Sequence, residues 1–149
     1  MSAIAVAELT VPVARDVAWS QFIDFSHWDL WMPPEFRPIS GPARALAAGD
    51  KLSVGVGRKA RLKLSLNVIR LRPGKEICWS GGNRWLIHGV HSFLFADADQ
   101  GQGQTRIRSE ETLDGALTLG PLAARLERAA TDSASSLLAR FADHLKRAR

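Results

Sequence analysis

The fold is decided by the stretch ARLKLSLNVIRL, residues 60–71, in which apolar and polar side chains alternate. A period of two is typical of a β-strand with one buried and one solvated face. Outward from this stretch, similar patterns predict strands over 3–11, 51–57, 76–80, 84–96 and 104–113, and a short edge strand near 37–40. Short turns separate the central strands, so the sequence predicts an antiparallel meander.

Other parts of the chain have helical spacing. Apolar residues from Val13 onward predict a helix, and a second, short helix capped by Ser26 ends at Pro33-Pro34. A long helix begins near Pro121 and keeps one apolar stripe as far as Leu145. Only this helix is long enough to cover a sheet, so we expect an α+β fold in which a curved antiparallel sheet of six to seven strands wraps around it. The space between them is a natural small-molecule site.

Length and composition bound the class of protein. The 149 residues, of which 46% are hydrophobic and 23% charged, fit a single domain over 1–149 with a sizeable core. The apolar runs fall far short of the roughly 20 residues that cross a bilayer, so no transmembrane segment is predicted. No basic leader opens the chain, and the one cysteine, Cys78, suits a reducing compartment. We therefore expect a cytoplasmic protein. The sequence leaves its oligomeric state open.

Positive charge exceeds negative charge, with 20 Lys and Arg against 15 Asp and Glu, a net charge of +5. The cations are spread along the chain rather than gathered in a block. Four cations are expected on the convex face of the sheet: Arg61, Lys63, Arg106 and Arg108. The apolar residues Leu62, Leu64 and Ile107 are expected on the inward, concave face. On charge alone, the sequence predicts no specific nucleic-acid partner and no tight binding to anionic vesicles.

Cofactor and metal motifs have little support. The segment Gly55-Val56-Gly57-Arg58-Lys59-Ala60 has the spacing of a dinucleotide fingerprint, but a strand follows it where the fingerprint requires a helix. The four histidines show no metal-ligand spacing. The sequence therefore predicts no cofactor and no metal site.

A histidine and a carboxylate come together in the predicted sheet. Pairing Phe95 with Thr105 would place His91 opposite Ser109, with Glu111 one diagonal step away on the same face. In an apolar cavity the two groups would orient a polar part of a ligand, or act as acid and base. They would equally serve as a structural pair, which we favour over catalysis because buried polar groups need partners in any case.

Aromatic residues supply candidate cavity walls. We expect Trp28 and Trp31 beside the cavity mouth, and Trp79 and Trp85 paired across a turn. The chain has no tyrosine, which removes a common phenolic acid from any mechanism. The residues expected to line the cavity and contact a ligand are Trp28, Trp31, Phe36, Leu64, Leu66, Trp79, Trp85, Ile87, His91, Phe93, Glu111, Leu113 and Leu126.

Three parts of the sequence carry a family resemblance: VPVARDVAW (11–19) with DFSHWDLW (24–31), WSGG (79–82) with GVHSFLF (89–95), and TRIRSEETLDG (105–115). In order and spacing they resemble the START-like, or SRPBCC, superfamily, closest to its polyketide cyclase/dehydrase and lipid-transport-like branch. The resemblance covers nearly the whole chain. It implies a helix-grip fold with two short helices after the first strand, and a cavity for a lipid-, polyketide- or aromatic-like molecule.

The same resemblance leaves two functions open, since its members include carriers and cyclases. The first is binding of a hydrophobic or amphipathic small molecule between the sheet and the C-terminal helix. The alternative is a cyclase or dehydratase in which His91 is the general base and Glu111 its partner.

Overall fold

A computed structural model of the protein describes residues 3–57, 62–83, 85–98 and 103–147. The strands are β1 (Ala3–Val11), β2 (Phe36–Ser40), β3 (Lys51–Val56), β4 (Leu62–Arg72), β5 (Glu76–Asn83), β6 (Ile87–Asp97) and β7 (Thr105–Asp114). The helices are α1 (Arg15–Phe22), α2 (Ala123–Arg147) and two short 3₁₀ helices, Phe25–Leu30 and Ala116–Thr118. None of the helices in these ranges is long and apolar enough to span a bilayer.

The seven strands form one curved antiparallel sheet in the order β1-β7-β6-β5-β4-β3-β2. β2 to β7 follow one another as a meander, and β1 closes the order by pairing with β7. Helix α2 packs along β1, and two short helical segments, α1 and Phe25–Leu30, follow the first strand. These features confirm the expected α+β helix-grip fold. The dinucleotide fingerprint at 55–60 would require a helix after it, but the next described element is strand β4, as the sequence predicted. Residues 58–61 lie outside the described ranges.

The connection between β5 and β6 differs from the sequence prediction. Residues 81–83 were expected to form the turn, but they belong to β5 and pair with Ile87, His88 and Gly89. The backbone conformation at position 82 requires glycine. Gly82 has a φ of +103°, and a Cβ there would lie only 2.4 Å from the carbonyl oxygen of Ile87.

An aromatic cluster fills one end of the concave face. Phe22 lies at its centre, with ring centroids 4.7 Å from Phe93 and 5.2 Å from Phe141. Trp28 and Trp31 complete the cluster and are fully buried. This end of the sheet is therefore closed by side chains.

The two halves of α2 have different roles. Its buried residues begin at Ala134 and continue through Phe141 to Leu145, against the aromatic cluster. Residues 123–133 contain none that is buried, and those that face the sheet include the small Ala130 and Ser133. Small side chains leave space beneath the N-terminal half of α2. The helix therefore packs tightly against the sheet at one end and leaves a gap at the other.

The convex face carries most of the cations that the sequence placed there. Arg108 Nε donates to Glu110 Oε1 over 2.6 Å, and Glu8 lies within 4.0 Å of both Arg106 and Arg108. Ile107 points to the opposite face and is fully buried, while Lys63 is exposed. Leu62 lies on the inward face with Leu64, as expected, but it is 64% exposed at the open strand end. Arg61 lies outside the described residues.

Candidate ligand cavity

A cavity of about 210 Å³ lies at the open end of the concave face, where β3, β5 and β7 end and β2, β4 and β6 begin. We call it the larger chamber. Its lining is apolar except for one histidine and one carboxylate: Phe36, Val56, Leu62, Leu64, Leu66, Trp79, Gly81, Gly82, Ile87, Gly89, His91, Glu111 and Leu113. The aromatic cluster closes its inner side, so the chamber faces solvent at the strand ends.

A second space of about 60 Å³, the inner chamber, lies beneath α2. It shares four lining residues with the larger chamber and adds four from the helix: Phe36, Trp79, His91 and Glu111, with Ala130, Ser133, Ala134 and Leu137. The helix therefore borders the inner chamber, whereas the described lining of the larger chamber comes from the sheet. Both chambers meet at His91 and Glu111.

Three glycines contribute backbone to the wall of the larger chamber. Gly81 and Gly82 lie on β5, and Gly89 lies on the neighbouring β6. A Cβ on Gly89 would lie 3.2 Å from Leu113 Cδ2 and 3.4 Å from Glu111 Oε2. The glycine therefore lets the side chains of Leu113 and Glu111 pack directly against the backbone of β6.

His91 and Glu111 are direct cross-strand partners on β6 and β7. His91 Nδ1 lies 3.5 Å from Glu111 Oε2, and its Nε2 is 2.6 Å from Ser109 Oγ. The sequence predicted the right face but the wrong register, since it placed His91 opposite Ser109. In the structure Thr105 pairs with Asp97 instead of Phe95, so the register differs from the prediction by two residues. A shift of two residues keeps every side chain on the face of the sheet that was predicted for it.

Burial shifts the two titrating groups in opposite directions. Desolvation lowers the pKa of His91 from 6.5 to about 3, so its imidazole is neutral at physiological pH. Desolvation raises the pKa of Glu111 from 4.5 to about 7. An ionised Glu111 attracts a proton on Nδ1 of His91, and Nε2 then accepts the hydrogen bond that the Ser109 hydroxyl donates. Ser109 and His91 hold one another in place, and Glu111 is the group that changes charge near neutral pH.

Comparison with known proteins bears on the fold. No protein-family model and no curated protein matches this sequence. Among solved structures, a START superfamily protein from Mycobacterium smegmatis has a TM-score of 0.75 at 11% identity, covering 99% of each chain. The fold is that of the START-like, or SRPBCC, superfamily.

Two further structures share this START-like fold. The di-domain ARO/CYC StfQ from the steffimycin biosynthetic pathway has a TM-score of 0.75 at 15% identity, covering 96% of this chain and 50% of that chain. Ara h 8.0201 has a TM-score of 0.72 at 10% identity, covering 97% of each chain. Identities this low establish a common fold, so the function has to be argued from the cavity.

Eight of the residues expected from the sequence line the larger chamber of this START-like fold: Phe36, Leu64, Leu66, Trp79, Ile87, His91, Glu111 and Leu113. They come from five different strands, and the shared inward face of each strand brings them together. The alternation of β4, β6 and β7 was sufficient to find most of them.

Five expected residues lie elsewhere. Trp28, Trp31 and Phe93 are fully buried in the aromatic cluster rather than at the cavity mouth or wall. Trp85 is 85% exposed in the turn after β5, so it does not pair with Trp79, whose partner on β6 is His91. Leu126 is half-buried on α2 and is absent from the described lining of both chambers.

Sequence reasoning missed nine lining residues: Val56, Leu62, Gly81, Gly82, Gly89, Ala130, Ser133, Ala134 and Leu137. Leu62 has the same strand parity as Leu64 and Leu66, so the alternation already contained it. The others are mostly glycines and small helical residues, which have little or no apolar side chain. Search for bulky apolar side chains overlooks such positions.

Proposed function

We propose that this START-like protein binds a hydrophobic or amphipathic small molecule in the larger chamber, with the inner chamber accepting a small part of it. The observation that carries the proposal is an open chamber of about 210 Å³ whose lining is apolar apart from His91 and Glu111. Binding moves apolar ligand surface out of water and covers the exposed parts of Leu62 and Leu64.

The size of the chamber limits the ligand. An apolar cavity of about 150 Å³ holds benzene, and drug-sized sites measure about 300–1,000 Å³. A chamber of about 210 Å³ with a neighbouring space of about 60 Å³ fits a substituted ring or a short acyl chain. A longer molecule would project through the open mouth.

Glu111 indicates the polar group of the ligand. Its carboxyl donates a hydrogen bond when protonated and accepts one when ionised, and its raised pKa of about 7 makes both states accessible. A hydroxyl group satisfies either state, because it both accepts and donates. We therefore propose a ligand with one alcohol or phenol group directed at Glu111.

Native mass spectrometry of the purified protein tests binding. We expect an additional mass that corresponds to a small apolar molecule and is lost on denaturation. Added single-ring phenols should bind when no molecule co-purifies. Failure of such phenols and of short-chain alcohols to bind at millimolar concentration would contradict the proposal.

A cyclase or dehydratase is a second candidate, favoured by one observation. A carboxyl with a pKa of about 7 in an apolar cavity is suited to proton transfer at neutral pH. The roles would then differ from the sequence-based hypothesis. His91, with a pKa of about 3, is too weak a base, so Glu111 would move the proton and His91, held by Ser109, would position it.

The catalytic candidate is tested by Glu111→Gln. With a poly-β-ketone thioester as substrate, we expect turnover to fall at least about a hundredfold while ligand binding is kept. The exposed Ser65→Ala on β4 is the matched control and should leave turnover unchanged. Equal turnover by Glu111→Gln and the wild type would exclude Glu111 as the acid or base.

A further inference from the structure

Two hydrogen-bond donors border the inner chamber without a protein partner. They are the indole nitrogen of Trp79 on β5 and the hydroxyl group of Ser133 on α2. Neither forms a hydrogen bond with any described part of the chain. Polar groups in protein interiors are normally paired, so the inner chamber presents two unused donors to a molecule that enters it.

The buried tryptophans of the concave face differ in what their indole nitrogens contact. Trp28 Nε1 donates to the carbonyl of Phe22 over 2.8 Å. Trp31 Nε1 is unpartnered and enclosed by protein, the one such side-chain nitrogen or oxygen among the described residues. Trp79 Nε1 is also unpartnered but is not enclosed, although Trp79 as a whole is only 3% exposed. Because Trp79 lines both chambers, its N–H is available to a molecule bound there.

The ring of Trp79 is held in place by its neighbours. Its centroid lies 5.1 Å from that of Phe93 and 5.3 Å from that of Trp28, and the residue pairs with His91 on β6. A ring that is packed on several sides cannot turn its N–H toward another acceptor. The donor is therefore preorganised and loses little freedom when a ligand binds.

Ser133 differs from its neighbour Thr131 on α2. Thr131 Oγ1 donates to the carbonyl of Glu127, one turn earlier, over 2.8 Å, which is a common way to satisfy a hydroxyl group within a helix. Ser133 makes no such bond within the described part of the chain. It lies on the same face of α2 as Ala130 and Leu137, which also line the inner chamber. Its hydroxyl group is therefore free to bond a group in that chamber.

The volume of the inner chamber limits what can meet the two donors. Its volume of about 60 Å³ is about twice that of a water molecule in the liquid, about 30 Å³. This space accommodates one small substituent and not a second ring. A methyl group would leave both donors unpaired, whereas a carbonyl oxygen has two lone pairs and accepts a hydrogen bond from each donor.

We propose that Trp79 and Ser133 are specificity-determining residues that bind a carbonyl oxygen of the ligand in the inner chamber. This inference rests on the proposed function and adds a second polar contact to the hydroxyl group directed at Glu111. Glu111 and Trp79 line both chambers, so the two polar groups of the ligand belong to one small molecule. The ligand class is then a small hydroxyketone, such as an aromatic ring that carries a hydroxyl group and an acyl group.

Matched ligands test the carbonyl contact. In 3-isopropylphenol and 4-isopropylphenol, a methyl group takes the place of the carbonyl oxygen of 3′-hydroxyacetophenone and 4′-hydroxyacetophenone. Their affinities for the wild type are measured by isothermal titration calorimetry at about pH 6, where all four phenols are uncharged. We expect at least one ketone to bind at least about tenfold more tightly than its isopropyl counterpart, because two hydrogen bonds are gained.

Ser133→Ala and Trp79→Phe each remove one donor and keep an apolar wall. Ser136→Ala is the matched control, since Ser136 is half-buried on the same helix and is absent from the described lining of both chambers. We expect each donor variant to lower the ratio of ketone affinity to isopropyl affinity by about three- to tenfold, and the control to keep it within about twofold. A partial loss of folded protein leaves this ratio unchanged. Ser133→Ala decides the test if Trp79→Phe does not fold, because alanine is favoured in a helix.

The outcomes separate this inference from the proposed function. Equal affinities of both ketones and their isopropyl counterparts would overturn the carbonyl contact and leave binding in the larger chamber intact. A ratio that Ser133→Ala changes no more than Ser136→Ala does would overturn the role of Ser133 as a donor. Failure of all four phenols to bind the wild type at millimolar concentration would contradict the proposed function itself, and this inference with it.

Discussion

Glu111 lies directly opposite His91 on the concave face, and the two side chains face each other across 3.5 Å from Oε2 to Nδ1. Although the two groups are close, burial disfavours the charged form of each. It lowers the pKa of His91 and raises the pKa of Glu111. The pair is therefore better described as a neutral polar site inside an apolar cavity than as a salt bridge. Its protonation state controls which hydrogen bonds the cavity offers.

Glu111→Gln should change how stability depends on pH. Because the folded protein binds the Glu111 proton more tightly than the unfolded chain does, ionisation of Glu111 costs stability as pH rises from about 4.5 to about 7. The Gln variant does not bear this cost. We expect the free energy of unfolding of the Gln variant, measured with urea, to rise relative to that of the wild type across this range, by about 3 kcal/mol above pH 7.

His91 does not obscure that comparison. Its lowered pKa gives the opposite trend, in which stability rises with pH between about 3 and 6.5, but it is present in both proteins. A difference in unfolding free energy that stays constant from pH 4.5 to 7 would show that Glu111 is not titrating in this range.

Ser109→Ala should destabilise the fold more than its small size suggests. Ser109 is fully buried, and its hydroxyl is bonded to His91 Nε2, which has no other partner among the described residues. Leaving this nitrogen unpaired in an apolar setting costs about 1–3 kcal/mol. Chemical denaturation measures the loss, with the exposed Ser65→Ala on β4 as the control. Equal stability of the two variants would contradict the expected role of the bond.

Two buried tryptophans should respond differently to replacement by phenylalanine. Trp28 Nε1 donates to the carbonyl of Phe22 over 2.8 Å, whereas the Nε1 of Trp31 has no hydrogen-bond partner among the described residues. Both side chains are fully buried and lose the same atoms. We expect Trp28→Phe to cost about 1 kcal/mol more than Trp31→Phe in unfolding free energy. The reverse order would show that packing outweighs the hydrogen bond.

Binding to nucleic acid should be weak and sensitive to salt. On the convex face, Arg108 is paired with Glu110 and Glu8, and Arg70 and Arg72 both contact Glu76. Cations that are already paired release fewer counterions from a phosphate backbone. Fluorescence anisotropy with DNA and RNA should therefore show no affinity tighter than about 10⁻⁶ M near physiological salt. Tighter binding would indicate a nucleic-acid function.

The sequence was sufficient for the architecture because strand alternation and the stripe of α2 each depend on local period. The register of β6 on β7 was not accessible in this way. A shift of two residues keeps His91, Ser109 and Glu111 on the same face, so the apolar pattern cannot distinguish the two pairings. Only the length of the connection between Asp97 and Thr105 decides it.

The boundary between core and cavity was harder to predict. Trp28 and Trp31 are large aromatic residues, a type that is equally common in cavity walls and in packed cores. In the structure they pack around Phe22 and close one end of the sheet. The walls of the two chambers include Gly89 and Ala130, which have little or no side chain for a hydrophobic pattern to register. Hydrophobic periodicity identifies which face is inward, whereas the empty volume depends on how side chains from distant elements meet.

The decisive measurement is titration of the apolar dye N-phenyl-1-naphthylamine into the wild type and two valine variants. Val56→Phe adds a ring to the larger chamber, whereas Val6→Phe adds the same ring at a position on β1 that is outside it and 38% exposed. We expect saturable dye fluorescence in the wild type and in Val6→Phe, and an affinity at least about tenfold weaker in Val56→Phe, about 1.4 kcal/mol. Equal dye affinity of Val56→Phe and the wild type would contradict binding in this chamber.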